Sequence, residues 1–496
     1  MQQMMTQNAQ PQTLAQAPVP QIDRDRKHAM AEAWKSYRGD FPNPLKIDKD
    51  QPDDNVLSNF CVSIVDKGAS WLFGEPLKIE ATDETSKKET DIQDFINGLW
   101  GDDDDKMSLL SDAGTNGGVC GQAFLKLIPA QRNMKFPRIV VMDPMLVRMV
   151  TAPDDCTLVL AYIIEYSGAS DWQKRQIIAR IDPGGLSDVI GGDDLDETWS
   201  ITNYARKGQL GSWFQVGEQD KWLYPFPPIF TNKNLPNPNE AWGTPDLTPD
   251  LIAQNKSLNF LLSNLARIVK FHGHPKTWAK GVGRSQISVN VDEVIVLESE
   301  NGELNTIKPM DNFAGILSVI GTIMSNIDQQ SRIPGVALGR QEQLPKLGQI
   351  SGVALSLMFQ PLIEKTKLKQ RLYGKMIREI TRAALVIAGK LDIADYEDYQ
   401  IDLHWAPLLP SDNLAAAQEA VILQQLGVSL STILSGLGLD ADDEVEKKEA
   451  EDAKQLTGFS RGTAMPPALP PTPAIPSAPG QPVAPVAQPP AQPVGA

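Results

Sequence analysis

The order of apolar and polar positions divides the chain into stretches of helical period, stretches of strand period, and two ends with neither. Residues 56–73 carry Val56, Phe60, Ile64, Ala69 and Leu72 at the spacing of one helical face, and Gly74 followed by Pro76 is a helix-stop order. Residues 91–100 predict a second, short helix. From Gln122 the period changes to two. Residues 123–128, 138–142, 146–150 and 158–166 read as short strands broken by Pro129, Pro144 and Pro153, and more strands are expected at 176–180, 199–204 and 211–216. Residues 50–245 are therefore expected to be α+β, built on an antiparallel sheet.

Helical period returns at Thr248-Pro249-Asp250, where a proline at the first helical position and a carboxylate in the first turn favour a helix start. Leu251, Leu258, Leu261, Leu262, Leu265, Ile268 and Val269 follow at helical spacing. A Gly- and Pro-containing insert with a strand run at 294–297 separates this helix from a second. The second carries Phe313, Ile316, Leu317, Ile320, Ile323, Met324 and Ile327 on one face. Two helices joined in this way are expected to lie antiparallel with the insert at their tip. Gly315 and Gly321 each cost a helix on the order of 1 kcal/mol, so close packing against a neighbouring helix is expected there. Residues 333–351 form a Gly/Gln-rich loop with Arg340 and Lys346. A long helix is predicted over 353–389, kinked at Pro361, which lacks the donor its turn needs. Its basic run (Lys365, Lys367, Lys369, Arg371, Lys375, Arg378, Arg382) is expected to be a solvated face paired with acidic groups of a neighbouring subunit. Residues 400–405 read as a strand, and 413–454 as helical, ending in the acidic stretch 440–452. Residues 1–27, poor in bulky apolar side chains, read as a flexible arm. Residues 460–496, mostly Pro, Ala, Gln and Val, read as an extended, disordered tail.

Composition narrows the partners. Of 496 residues 41% are hydrophobic and 22% charged, ordinary for a globular chain with a large core. The 62 acidic residues against 46 basic give a net charge of −16. Broad gripping of DNA phosphates needs the opposite balance, so any nucleic-acid contact is expected to be local, or made to slide. Cys61, Cys120 and Cys156 are too few and scattered for a disulfide framework, and a reducing assembly site fits them. Residues 1–20 lack the charged start and apolar run of a signal peptide, and the most apolar helical stretch, 313–324, falls short of the ~20 residues that span a bilayer. The chain is expected to be soluble, with no membrane partner.

Candidate chemistry is thin. Gly114, Gly117, Gly118 and Gly121 are not followed by the Lys-Ser/Thr pair of a phosphate loop, and are read as turns leading into the strand at Gln122; Gly281-Val282-Gly283 is equally weak. The run Asp102 to Asp105 reads as a solvated acidic loop. Four histidines (His28, His272, His274, His404) include one close pair, His272 and His274, with no cysteine or carboxylate cluster beside it. No nucleophile elbow or His-Glu-x-x-His pattern occurs. No catalytic residue, cofactor or metal is expected.

Several local patterns together resemble the portal proteins of tailed bacteriophages. Asn59 to Pro76 (NFCVSIVDKGASWLFGEP) is similar to that family's N-terminal helix and its Gly-x-Pro exit, and residues 124–128 with Val141-Met142-Asp143-Pro144 resemble its wing strands and Asp-Pro turn. Pro228 to Asn234, followed by Trp242-Gly243-Thr244-Pro245-Asp246-Leu247, resembles the entry to its first stem helix, with Pro245 where the family has Ser. Ser331-Arg332-Ile333-Pro334-Gly335 and Gln349-Ile350-Ser351-Gly352-Val353-Ala354-Leu355 are similar to the two ends of its tunnel loop.

The resemblance implies an α+β portal fold. After a flexible arm at 1–27 it gives a mixed α/β wing at 28–247 and antiparallel stem helices at 248–271 and 311–332, around a β-containing clip at 272–310. A tunnel loop follows at 333–351, then a kinked helix and return strand at 352–410, a helical crown at 411–457 and the tail at 458–496. It implies a non-enzymatic ring, of twelve copies in most members, at one capsid vertex of the virion, assembled in the host cytoplasm. Double-stranded DNA would pass through it, packaged by a terminase large subunit and later ejected. Connector or adaptor proteins, the major capsid protein and scaffolding protein would be its other partners. The residues implied to border DNA are Arg340, Gln341, Gln343, Lys346 and Gln349. Those implied to meet terminase and connector are His272, His274, Lys276, Lys280 and Arg284. Two other readings are a different head–tail connector ring and a nucleic-acid-processing enzyme whose carboxylates converge only in the fold.

Overall fold

A computed structural model describes residues 11–47, 53–81, 87–130, 134–167, 171–181, 198–208, 211–273, 277–280, 303–306, 313–340, 352–409 and 423. The chain divides into two units, 1–410 and 411–496, and every described residue but 423 lies in the first. The strand at 294–297, the helix at 413–454 apart from residue 423, and the tail lie outside the described residues.

Of the arm expected at 1–27, the described part, 11–27, is two helical stretches joined at 17–20 and packed on the body, not a flexible segment. Helix α1 (Pro11–Gln16) buries Leu14 and Ala15, and α2 (Gln21–Tyr37) buries Met30 and Ala33. Few apolar side chains suffice because each packs on a sheet or helix of the body. The next predicted helix starts later than its apolar period suggested. Residues 53–59 are extended, and α3 (Phe60–Phe73) begins where the Asn59 side chain accepts a hydrogen bond from the Val62 amide. Strand β1 (Lys78–Ala81) and α4 (Lys87–Trp100) follow.

The stretch read as acidic loop and glycine turns is one helix, α5 (Asp103–Cys120). Its first turn holds Asp103, Asp104 and Asp105, which the partial positive charge at a helix N-terminus stabilises. Gly121, at φ +84°, ends it. Propensity argued against a helix here, and packing overrode it. A Cβ on Gly117 would collide with the Tyr373 hydroxyl, and one on Gly118 would sit 3.0 Å from Val65 and 3.1 Å from Asp246.

Strands β2 (Gln122–Ile128), β3 (Arg138–Met142) and β10 (Ile229–Lys233) form an antiparallel sheet in the order β10-β2-β3. A larger antiparallel sheet joins β4 (Val147–Thr151), β5 (Val159–Ser167), β6 (Trp172–Ile181), β7 (Thr198–Lys207) and β8 (Phe214–Gln215), with β9 (Asp220–Trp222) also on β7. Helix α1 covers Ala161, Ile163, Ile177 and Ala179 on one face of it.

Helix α6 (Pro249–Gly273) and α7 (Ala314–Ser331) pack on each other, and Gln254 near the start of α6 donates to Gln330 near the end of α7, as an antiparallel pair requires. Between them β11 (Thr277–Lys280) and β12 (Glu303–Thr306) pair antiparallel, Lys280 opposite Glu303. Gly315 and Gly321 do not serve this packing: a Cβ on either meets no described atom within 4 Å.

Helix α8 (Gly352–Ile387) is the central spine. It runs unbroken through an exposed Pro361 and buries Leu362, Tyr373, Met376, Ile377, Ile380 and Ala384 against α3, α4, β10 and β13 (Ile401–His404). Each large apolar side chain buried in this way contributes about 1.5–3 kcal/mol. Strand β13 returns to pair with β1, Ile401 opposite Ala81.

Gly117→Ala should lower stability by about 1–3 kcal/mol through overpacking. Adding Tyr373→Phe should recover some of that loss, because the colliding hydroxyl is gone. Denaturant midpoints of the two singles and the double measure the coupling.

Candidate functional site

The described residues converge on a buried charge centre rather than on a cleft. Asp246 lies just ahead of α6, 3% exposed. Its backbone is fixed first: the Asp246 amide donates to the Gly118 carbonyl at 2.7 Å, and the Gly243 amide to Gln122 Oε1 at 3.0 Å. Two lysines of α8, four residues apart and hence on one face, reach its carboxylate. Lys369 Nζ lies 2.5 Å from Oδ2 and Lys365 Nζ 2.9 Å from Oδ1, the latter an ion pair without hydrogen-bond alignment. Lys365 instead directs a hydrogen bond to the Ser331 carbonyl, 2.9 Å away at the end of α7.

Burial alone would raise the Asp246 carboxyl; the two ammonium groups more than reverse this and hold it down to about 2. Burial lowers Lys369 to about 8, and Asp246 only partly offsets that. The centre thus joins the entry to α6, the exit of α7 and the spine. Glycines make the room: Gly68 of α3 faces Asp246 and Lys369, and Gly118 faces Asp246 from α5. Beside it the Tyr373 hydroxyl donates to Asn234 Oδ1 at 3.3 Å, and the Asn234 amide to the Gly121 carbonyl. Trp242 packs edge-on against Phe124, with the Arg26 guanidinium 4.4 Å from its ring centre.

This corrects the expectation for the basic run. Lys365 and Lys369 pair inside their own chain, whereas Lys367, Arg371 and Lys375 form an exposed stripe at four-residue spacing. The signal was present in the sequence, since 365 and 369 lie on the same helical face as buried Leu362, Tyr373 and Met376.

The remaining expected residues are dispersed. Arg340 turns inward, pairs with Asp328 of α7 and lies 5.8 Å from the Phe60 ring centre, so here it fastens the loop to the helix pair. Gln341, Gln343, Lys346 and Gln349 lie outside the described residues, as do His274, Lys276 and Arg284. His272 is in the last turn of α6, and Lys280 ends β11. Pro361 sits in the first third of α8, with no break in the helix. Among the described residues no three His, Cys, Asp or Glu side chains gather to hold a metal, and no helix is long and apolar enough to cross a membrane.

A mixed α/β body, an antiparallel helix pair bearing a hairpin and a long spine thus meet at one buried ion cluster. The family model described as phage portal protein, SPP1 Gp6-like, matches residues 18–457, and the chain belongs to that family. It is a phage portal protein by family, a structural and non-enzymatic class found in the capsid of the virion. No curated protein matches the sequence.

Asp246→Asn should destabilise the chain by about 3–5 kcal/mol, because it leaves two buried ammonium groups without a counter-charge. Asp246→Leu combined with Lys365→Met and Lys369→Met should cost markedly less than that single change; equal or greater loss would show that the charges themselves hold the fold. The pH profile has a definite sign. Asp246 is depressed when folded, so its contribution of about 2–3 kcal/mol is complete above pH ~4 and is lost as pH falls towards 2. Lys369 is also depressed when folded, so it too adds stability with rising pH, its burial penalty lifting as pH goes from about 8 to ~10.5. Denaturant titrations of wild type against the triple variant across pH isolate both terms.

Proposed function

We propose that copies of this chain form a closed ring at one capsid vertex, through which double-stranded DNA is packaged and later ejected. In this reading 28–247 and 352–410 make the wing, α6 and α7 the stem, 272–310 the clip that meets terminase and then connector, and 333–351 the tunnel loop. Residues 411–457 form the crown. The ring is dodecameric, is built with scaffolding and major capsid protein in the host cytoplasm, and borders DNA with Gln341, Gln343, Lys346 and Gln349.

The observation that carries the reading is the exposed apolar surface of α7. From Ala314 to Ile327 the helix has no charged residue; Leu317, 54% exposed, lies beside Gly321 on one side, and Val319, 50% exposed, beside Gly315 on the other. Two exposed apolar sides in a chain of net charge −16 are suited to burial between neighbouring copies of a ring. The heavy acidic excess supports passage rather than capture of DNA, since phosphates are repelled by the bulk surface. Lys367, Arg371 and Lys375 supply a local cationic stripe for transient contact.

Leu317→Asp with Val319→Asp should weaken each subunit contact by about 3 kcal/mol or more, over a hundredfold, while leaving the chain folded. Negative-stain microscopy and native mass spectrometry should show rings with an axial hole for wild type and monomers for the variant. Rings of equal size and stability from both would remove α7 from the interface, and wild-type protein monomeric under all conditions would sink the ring.

A further inference from the structure

One face of α6 holds side chains that an apolar interior does not call for. Asn255, Asn259 and Ser263 recur at four-residue spacing, each 1% exposed or less. All three turn to the backbone of the segment 53–59 and the first residue of α3, Phe60. The Phe60 amide donates to Asn255 Oδ1 at 2.8 Å, and Asn255 Nδ2 returns a bond to the Ser58 carbonyl at 3.0 Å. The Ser58 amide donates to Asn259 Oδ1 at 2.9 Å, and the Val56 amide to Ser263 Oγ at 2.9 Å. Each rung takes the next alternate residue, with strand and helix running in opposite directions.

The register has a geometric origin. Four helical residues rise ~6 Å and two extended residues span ~6.6 Å, so short polar side chains on one helical face can meet every second amide of a strand. The mismatch of ~0.6 Å per rung accumulates, and after three rungs a short side chain no longer reaches. At that point the helix changes residue type. Lys270 Nζ lies 2.6 Å from Asp54 Oδ1 and Arg267 Nε 3.7 Å from Oδ2, long cations reaching the end of the strand.

We propose that Asn255, Asn259 and Ser263 are positioning residues that form a clasp, reading the backbone of 53–60 and setting the inclination of α6 against the body, and that this clasp opens from its Asp54 end. This inference rests on reading α6 as a stem helix, and assigns the regulation of that helix. The rungs are neutral hydrogen bonds, individually weak against water, so they separate singly without uncovering a charge. The terminal ion pair is half-exposed and screened by salt. The clasp is also indifferent to side chains on the strand, since Val56 and Leu57 point to solvent at 37% and 44% exposure.

The test is residue-resolved amide hydrogen exchange on the full-length chain, at low and high salt. Val56, Ser58 and Phe60 should exchange at least about fivefold more slowly than Leu57 and Asn59, whose amides have no acceptor among the described residues. High salt should loosen Val56 first. Asn259→Ala should bring Ser58 to the rate of Leu57 while α6 amides keep their protection; a uniform rate across 55–60, or equal loss throughout α6, would overturn the clasp. A second readout places spin labels at Val269→Cys and Asp112→Cys in a Cys156→Ser background. The distance distribution should broaden when Asn255, Asn259 and Ser263 are all replaced by Ala, and an unchanged distribution would show that the rungs do not set the inclination. Neither measurement requires ring assembly, so a chain that never forms rings refutes the stem reading separately from the clasp.

Discussion

A single carboxylate held between two lysines in the interior is the constraint around which the rest of the body is arranged. Asp246, Lys365 and Lys369 carry three charges in a space from which water is excluded. Removing such groups from solvent costs several kcal/mol per ion, and hydrophobic replacements of similar volume are often at least as stable. The centre therefore acts through geometry more than through net stability. Its partners come from segments far apart in the chain: the turn before α6, the end of α7 through the Ser331 carbonyl, the middle of α8 and the glycine faces of α3 and α5. A shift of any one would strand a buried charge, so all five are held in one arrangement. In the proposed ring, that kind of lock would limit the errors in helix placement that add up around the circle.

The same centre explains which regions of the structure were legible in the sequence. Period-two runs predicted β2 to β5 closely, because alternation reports a half-buried strand directly. The helix pair was legible through its Pro-Asp start and its apolar face. What was not legible was steric demand from distant residues. Gly114, Gly117 and Gly118 weaken a helix in isolation, and only Phe73, Tyr373 and Asp246, packed on that face, show why glycine is required. Likewise the helical face shared with Leu362, Tyr373 and Met376 marks Lys365 and Lys369 as inward, but their counter-ion, over a hundred residues earlier, is evident only in the fold. The family motifs Trp242 to Leu247 and Ser331 to Gly335 were recognisable as patterns; their purpose emerged only where both touch α8.

Charge is distributed in a manner consistent with this division. Against an acidic excess, several of the described cations serve as fasteners: Lys365 and Lys369 at the centre, Arg340 on Asp328, Arg267 and Lys270 on Asp54, and Arg175 between Glu165 and the Ala15 carbonyl. At these positions positive charge that could have gripped phosphate is consumed within the fold. Lys367, Arg371 and Lys375 stay exposed along one line of α8. In the proposed channel, a passing duplex would meet repulsion from the acidic excess and brief attraction at a few points, a combination that favours sliding over residence.

Two kinds of fastener then hold α6, and they differ in what opening them costs. At its N-terminal end the charge centre cannot open without leaving an ion unpaired in a dry interior, so that end is fixed. Along its next turns the Asn255–Asn259–Ser263 clasp joins neutral groups to a backbone that water can also satisfy, so it can open rung by rung. A helix pinned at one end and clasped along its side has one permitted motion, a swing about the pinned end. On the proposed reading of α6 as a stem helix, that freedom would let its far end, bearing the β11–β12 hairpin, meet successive partners while the body of the subunit stays in register.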